Sequence, residues 1–180
     1  LANLSSDEWS RDFRGRVPIE INGRAFLDRY RGITDRVTRV DPNRVYAVRQ
    51  PTEHPILEHD RVVKYRRLLE SGARAESQRA ALGELMYESH ESYSACGLGS
   101  SGTDRLVNLV RSTGRETGLY GAKITGGASG GVVAVLAREG SRPAVDEIAS
   151  RYSRETGRVS SILGGSSAGA AAFGALKIDG

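Results

Sequence analysis

Four glycines bracket two small residues in Lys123-Ile124-Thr125-Gly126-Gly127-Ala128-Ser129-Gly130-Gly131-Val132-Val133, where one β-rich stretch ends and another begins. Glycine takes positive φ without steric cost and has no side chain to hold a ligand away. Consecutive N–H groups of such a loop can therefore converge on phosphate oxygens. The same composition also makes a tight hairpin turn, and these residues alone leave both uses open. Neither of two common nucleotide signatures is present. There is no Gly-Lys-Ser/Thr, and the spacing Gly126-x-Gly-x-x-Gly131 fails at Ala128.

Other chemistry-bearing residues point less clearly to a site. His54 and His59 are five apart near a helix start and face different ways, while His90 stands beside Glu88 and Glu91, so no metal set is expected and structural or solvent-facing roles are assigned. No Ser, Cys or His arrangement suggests a nucleophile with its base. Cys96, beside Gly97, reads as a small buried residue.

The elements that must carry the loop emerge from the patterning. Ser6-Asp7-Glu8-Trp9 has the N-cap and acidic first turn of a helix start, Gly23 to Tyr30 reads as a short helix, and Arg44 to Val48 is ambiguous. Pro51 and Pro55 punctuate the stretch after Val48, so the next helix is expected to begin near His54 to Ile56, with Val62, Tyr65 and Leu69 on its apolar face and its charged face solvated. A second helix spans about Glu76 to Tyr93, burying Leu82, Leu85, Met86 and Ser89. A third comes after Ser101-Gly102-Thr103-Asp104 and buries Leu106, Val107, Leu109 and Val110. Then the period changes. Leu119 to Ile124 and Val132 to Ala137 read as strands, Pro143 to Gly157 as a helix, and Ser160 to Leu163 and Ala175 to Ile178 as two more strands. This order implies an α+β fold, helices covering one face of a four-stranded antiparallel sheet.

Composition excludes several classes. With 180 residues, 38% hydrophobic and 27% charged, the chain can bury a real core, and its longest apolar run, Val132 to Ala137, is too short to span a membrane. Residues 1–79 hold 16 basic and 12 acidic side chains and residues 80–180 hold 10 of each, so the net +4 lies in the first part. There it is interleaved, as in Asp28-Arg29 and Asp60-Arg61, without aromatic stacking residues, which reads as a salt-bridged surface rather than a nucleic-acid patch. One cysteine and no signal-like opening point to a reducing cytoplasm. The chain opens at Leu1 without Met and reads as a fragment of something longer.

Several segments together resemble the C-terminal half of galactokinases in the GHMP kinase superfamily, the L-arabinokinase type included. They are His54-Pro55-Ile56-Leu57-Glu58-His59-Asp60-Arg61-Val62, Leu82-Gly83-Glu84-Leu85-Met86-Tyr87-Glu88-Ser89-His90, Tyr93 to Ser100 with Gly102-Thr103-Asp104-Arg105-Leu106, Leu119 to Gly127 with Gly130-Gly131, and Gly165 to Ala170. They extend over most of residues 26–180, and their shared order is more specific than any one glycine cluster. The resemblance implies a ferredoxin-like four-stranded antiparallel sheet with helices on one face, preceded by a helical segment. It divides the chain into 1–50, a remnant of the connection to an N-terminal kinase domain, and 51–180, the C-terminal domain.

The activity implied is ATP-dependent phosphoryl transfer to the anomeric hydroxyl of a sugar, with ATP and Mg²⁺ held mainly by the N-terminal half. That half is also the main packing partner, and neither nucleic acid nor membrane is a partner. Gly126, Gly127, Ala128, Ser129, Gly130 and Gly131 match the family's third motif, which closes on the phosphate region, and Lys123 and Thr125 match flanking positions. Ala128 departs from the pattern, which usually has glycine there. Gly97, Gly99, Ser100 and Ser101 resemble the family's second, phosphate-binding motif but lie in the wrong place in its order, so a helix cap competes with ligand contact. Nothing matches the family's catalytic carboxylate, main ATP loop or Mg²⁺ ligands. The fragment alone is therefore expected to be inactive, and a non-catalytic galactokinase-like sensor or interaction module is the alternative reading.

Overall fold

The computed structural model describes residue 1, residues 3–126 and 131–165, and residues 172 and 174. One helical turn, α1 (Ser6–Glu8), runs into a π-helical turn, Trp9–Phe13. Ser5, one residue before the expected start, is the cap: its hydroxyl accepts from Glu8 N–H, and the Glu8 carboxylate accepts from Ser5 N–H. Strands β1 (Glu20–Asn22) and β2 (Val45–Ala47) pair antiparallel with Ile21 opposite Tyr46, and α2 (Gly23–Tyr30) lies between them in sequence. Pairing with β1 resolves the ambiguity of Arg44 to Val48, because strand formation there depends on a distant partner rather than local pattern.

Helix α3 (Arg49–Glu70) starts five residues before His54, contrary to the sequence reading. Pro51 falls in its first turn, where a missing N–H costs nothing, but Pro55 lies inside and removes a donor. Tertiary contacts hold this turn together. Glu53 is buried and accepts from Trp9 Nε1 at 3.3 Å and Arg14 Nε at 2.9 Å, and Ile56 is buried beside it in the sequence. Thr52 Oγ1 also donates to the Val48 carbonyl at 2.7 Å.

The second part of the chain comprises α4 (Glu76–Ala95), α5 (Ser101–Thr113), β3 (Leu119–Ile124), β4 (Val133–Ala137) and α6 (Arg142–Thr156). β3 and β4 pair antiparallel, Ile124 opposite Val133 and Ala122 opposite Val135, with an irregularity between Leu119 and Gly121. Helices α4 and α5 pack on β3, and α6 packs on α5. Tyr87, Val107, Leu109, Val110, Leu119, Ala122, Ile148 and Tyr152 form the core, each large aliphatic contributing roughly 1.5–3 kcal/mol by leaving water. The α4–β3 contact is glycine against glycine: a Cβ on Gly83 would lie 1.9 Å from the Tyr120 carbonyl oxygen, and one on Gly121 would lie 2.4 Å from Gly83 Cα. Only hydrogen atoms let the two backbones meet so closely.

Among the described residues the strands form two two-stranded antiparallel pairs, not a four-stranded sheet. Ser160 to Leu163, expected as a strand, has no ladder partner among the described residues, and β-rich composition makes no strand without an edge to pair with. Ala175 to Ile178 lies outside the described residues.

Candidate functional site

The end of β3 is where sequence and structure meet. Thr125 N–H donates to the Val132 carbonyl at 3.0 Å, one pair beyond the β3–β4 ladder, so residues 126–131 connect the arms of a hairpin. Gly126 has φ +89° with open space around it, so its backbone conformation, not crowding, calls for glycine. Gly131 is also exposed, whereas Gly127, Ala128, Ser129 and Gly130 lie outside the described residues.

Lys123, three residues before the loop, reaches back to α3. Its Nζ lies 3.3 Å from Glu58 Oε1, which also accepts from Ser89 Oγ of α4 at 2.5 Å, while Glu58 Oε2 accepts from Arg61 at 2.9 Å. Arg61 turns as well toward Glu88, 3.5 Å away, and its side chain is only 14% exposed. The sequence reading of this helix's charged face as solvated is thus corrected at Arg61, although Arg66 with Glu70 does remain an exposed pair. Burial opposes ionisation of Glu58, but the Ser89 hydroxyl, Lys123 and Arg61 together outweigh it and hold the carboxyl below its ordinary range. The cluster ties α3, α4 and β3 together just under the loop.

A second cluster braces the same strand end. His90 of α4 is buried, its Nδ1 accepts from the Ile124 backbone N–H at 3.3 Å, and its Nε2 lies 3.1 Å from Asp104 Oδ1 of α5. Asp104 Oδ1 also accepts from Ser94 Oγ at 2.9 Å. A ring that accepts at Nδ1 and donates at Nε2 is the neutral Nε2–H tautomer. Desolvation lowers the His90 pKa, and nearby Asp104 offsets part of that effect. Sequence reading left His90 alone beside two glutamates. The missed signal was its place four residues after Met86 on the buried stripe of α4.

The other glycine run is occupied by two helix ends. Gly97, φ +75°, stops α4 in a paired arrangement: Gly97 N–H bonds the Ser94 carbonyl at 2.9 Å and Leu98 N–H bonds the Tyr93 carbonyl at 3.3 Å. Gly99 packs where a Cβ would lie 2.5 Å from Ser94 Oγ and 3.1 Å from Asp104 Oδ1. Ser100 caps α5 through a reciprocal pairing with Thr103, leaving Ser101 as the first helical residue. Gly97 to Ser101 therefore adjoins the Asp104–His90 chain that reaches Ile124, which links this run to the end of β3 through side chains.

Beside the Lys123 cluster runs an open groove of about 420 Å³, lined by Val62, Tyr65, Leu85 and Met86 together with Glu58, Lys123 and Thr125. His54 bonds Ser92 Oγ through Nδ1 at 2.9 Å and meets the Tyr93 ring edge-on, which occupies it structurally. Among the described residues no group of three or more His, Cys, Asp or Glu is placed to hold a metal ion. Nor is any helix there long and apolar enough to cross a membrane. What the geometry can do is hold the mouth of a glycine-rich hairpin rigidly from two sides.

The chain is 44% identical to an L-arabinokinase of Arabidopsis thaliana over 186 aligned positions, 99% of this chain but 18% of that protein. It is 32% identical to galactokinases of Thermotoga petrophila and Thermotoga maritima over 124 positions, 67% of this chain and 33% of theirs. The chain thus spans a fifth to a third of the relatives it matches. Residues 69–159, from the end of α3 through α6, match the family described as GHMP kinases C terminal. With that match covering half its length, the chain belongs to the GHMP kinase family through the C-terminal domain.

Proposed function

We propose that this chain is the C-terminal part of an ATP-dependent sugar 1-kinase of the L-arabinokinase or galactokinase type, transferring the γ-phosphoryl group of ATP to the anomeric hydroxyl of a sugar. The observation that carries the reading is identity to an L-arabinokinase sustained at 44% over nearly the whole chain, the candidate loop included. Phosphoryl transfer of this kind passes through a loose transition state, so the protein acts mainly by positioning and by spreading charge. In this reading Gly126 to Gly131 approach the phosphate region with backbone N–H groups, and Lys123 and Thr125 flank them. Residues 51–180 form the C-terminal domain. The catalytic carboxylate, the main ATP loop and the Mg²⁺ ligands come from an N-terminal kinase domain, for which residues 1–50 are the connection. The enzyme works in the cytoplasm, consistent with a single free cysteine, Cys96.

The test is ADP release by the full-length protein over a sugar panel beginning with L-arabinose and D-galactose. Turnover that depends on one of these sugars and yields its 1-phosphate is the expected result, with the isolated 180-residue chain inactive. A full-length protein that turns over no sugar, or an isolated chain running at ordinary kinase rates of about 1–100 s⁻¹, overturns the proposal. The first of those outcomes favours a non-catalytic sensor or interaction module.

A further inference from the structure

We infer that His90 is a positioning residue for the glycine-rich hairpin: its Nδ1 holds the Ile124 backbone N–H at the end of β3, and Asp104 on α5 keeps the ring in the tautomer that can do so. The inference rests on the kinase reading for its link to turnover, but the hydrogen-bond chain stands on geometry alone. Ile124 is the last residue of β3, and its own side of the ladder is already defined: Thr125 N–H goes to Val132, whereas Ile124 N–H goes to the His90 ring. Were His90 absent, that buried donor would lack its acceptor, and a buried N–H without one is costly enough to shift the strand end. Gly126 comes two residues later, so a displacement there is delivered directly to the loop.

The ring's orientation is over-determined. Asp104 Oδ1 receives both His90 Nε2 and Ser94 Oγ, and a Cβ on Gly99 would crowd both Ser94 and Asp104. The charged groups acting on the ring are Asp104 and Arg111 from α5 and Glu91 from its own helix. Arg111 is itself drawn off by Glu91 at 2.6 Å and stacks over the Tyr87 ring at 4.2 Å from its centroid. Burial lowers the ring's proton affinity, which preserves Nδ1 as an acceptor.

Two substitutions separate this role from simple core filling. His90→Asn places an amide oxygen where Nδ1 sits and can still accept from Ile124, whereas His90→Gln extends toward Asp104 and leaves Ile124 N–H without its acceptor. In the full-length protein, His90→Gln is expected to speed hydrogen exchange of the segment from Ile124 to Gly126 about tenfold. It is also expected to lower kcat about tenfold or more with little change in the sugar KM. His90→Asn should stay close to wild type on both. Equal behaviour of the two variants in exchange overturns the inference. If the wild type turns over no sugar, the kinase reading fails by itself and the exchange comparison still decides the role of His90. Should His90→Gln not fold, Asp104→Ala replaces it: faster exchange at Ile124 to Gly126 supports the chain, and wild-type exchange overturns it.

Discussion

Gly97 to Ser101 and Gly126 to Gly131 are both short, glycine-rich and serine-bearing, yet the described residues at their ends are held in different ways. In the first run the N–H groups of Gly97 and Leu98 are spent on the last carbonyls of α4, and Ser100 serves the first turn of α5. Its glycine at positive φ is a helix stop. The second run leaves from a ladder that closes at Thr125 and Val132, and its flanks are braced from two helices, Lys123 by Glu58 and Ile124 by His90. Composition does not distinguish a helix cap from a hairpin connection. What distinguishes them is what holds their ends: helix carbonyls and a cap for the first run, a ladder pair and two side-chain contacts for the second.

A third use of glycine sets the scale for breaking this contrast. Gly83→Ala puts a carbon 1.9 Å from a backbone carbonyl that cannot rotate away, so α4 must lift off β3. A loss of about 3 kcal/mol in denaturant unfolding is expected, and a midpoint equal to wild type would show that the helix–strand contact is looser than described. Next, Gly127→Val in the full-length kinase should lower kcat about a hundredfold while the melting temperature barely moves. An unchanged kcat returns Gly126 to Gly131 to a plain hairpin and erases the difference between the runs. Gly97→Ala should show the reverse pattern, losing about 1 kcal/mol of stability from the strained positive φ with kcat per folded molecule preserved. A specific loss of kcat there would place the first run at the ligand after all.

The smallest expected effect is on pH dependence. Burial lowers the pKa values of His54 and His90, with Glu58 and Asp104 respectively offsetting part of the shift. The unfolded chain then binds more protons than the native state below the ordinary histidine value of about 6.5. Stability should be fully present above that pH and decline as pH falls through the lowered native values, seen as a falling melting temperature. His90→Gln should flatten part of this slope, and an unaltered slope would remove His90 from the titrating set.

Much of the fold could be read locally. The stripe Leu82, Met86, Ser89, the capping signals before α5 and the Pro143 to Gly157 helix all depend on neighbours within a turn or two, and the structure has each within a few residues of its expected place. Where the reading went astray, a distant group decided. Pro55 argued for a helix start at His54, but the Trp9 and Arg14 contacts to Glu53 carry α3 back to Arg49. Ser160 to Leu163 has strand composition but pairs with no strand among the described residues. His90 looked isolated because Asp104 and Ile124, its partners, lie fourteen and thirty-four residues further along the chain.

By itself the sequence determined the family, the helical block followed by a β-hairpin, and the positions where glycine must stand, because period, capping and motif order are local properties of the chain. Only the tertiary structure decided what Gly83, Gly97, Gly121 and Gly126 do. Gly97 ends a helix, Gly83 and Gly121 let two backbones touch, and Gly126 opens a loop whose strand end is pinned by a histidine and an ion pair. The physical reason is that an N–H group, a carboxylate or a ring nitrogen takes its role from the partner it finds, and partners far apart in sequence meet only when the chain has packed.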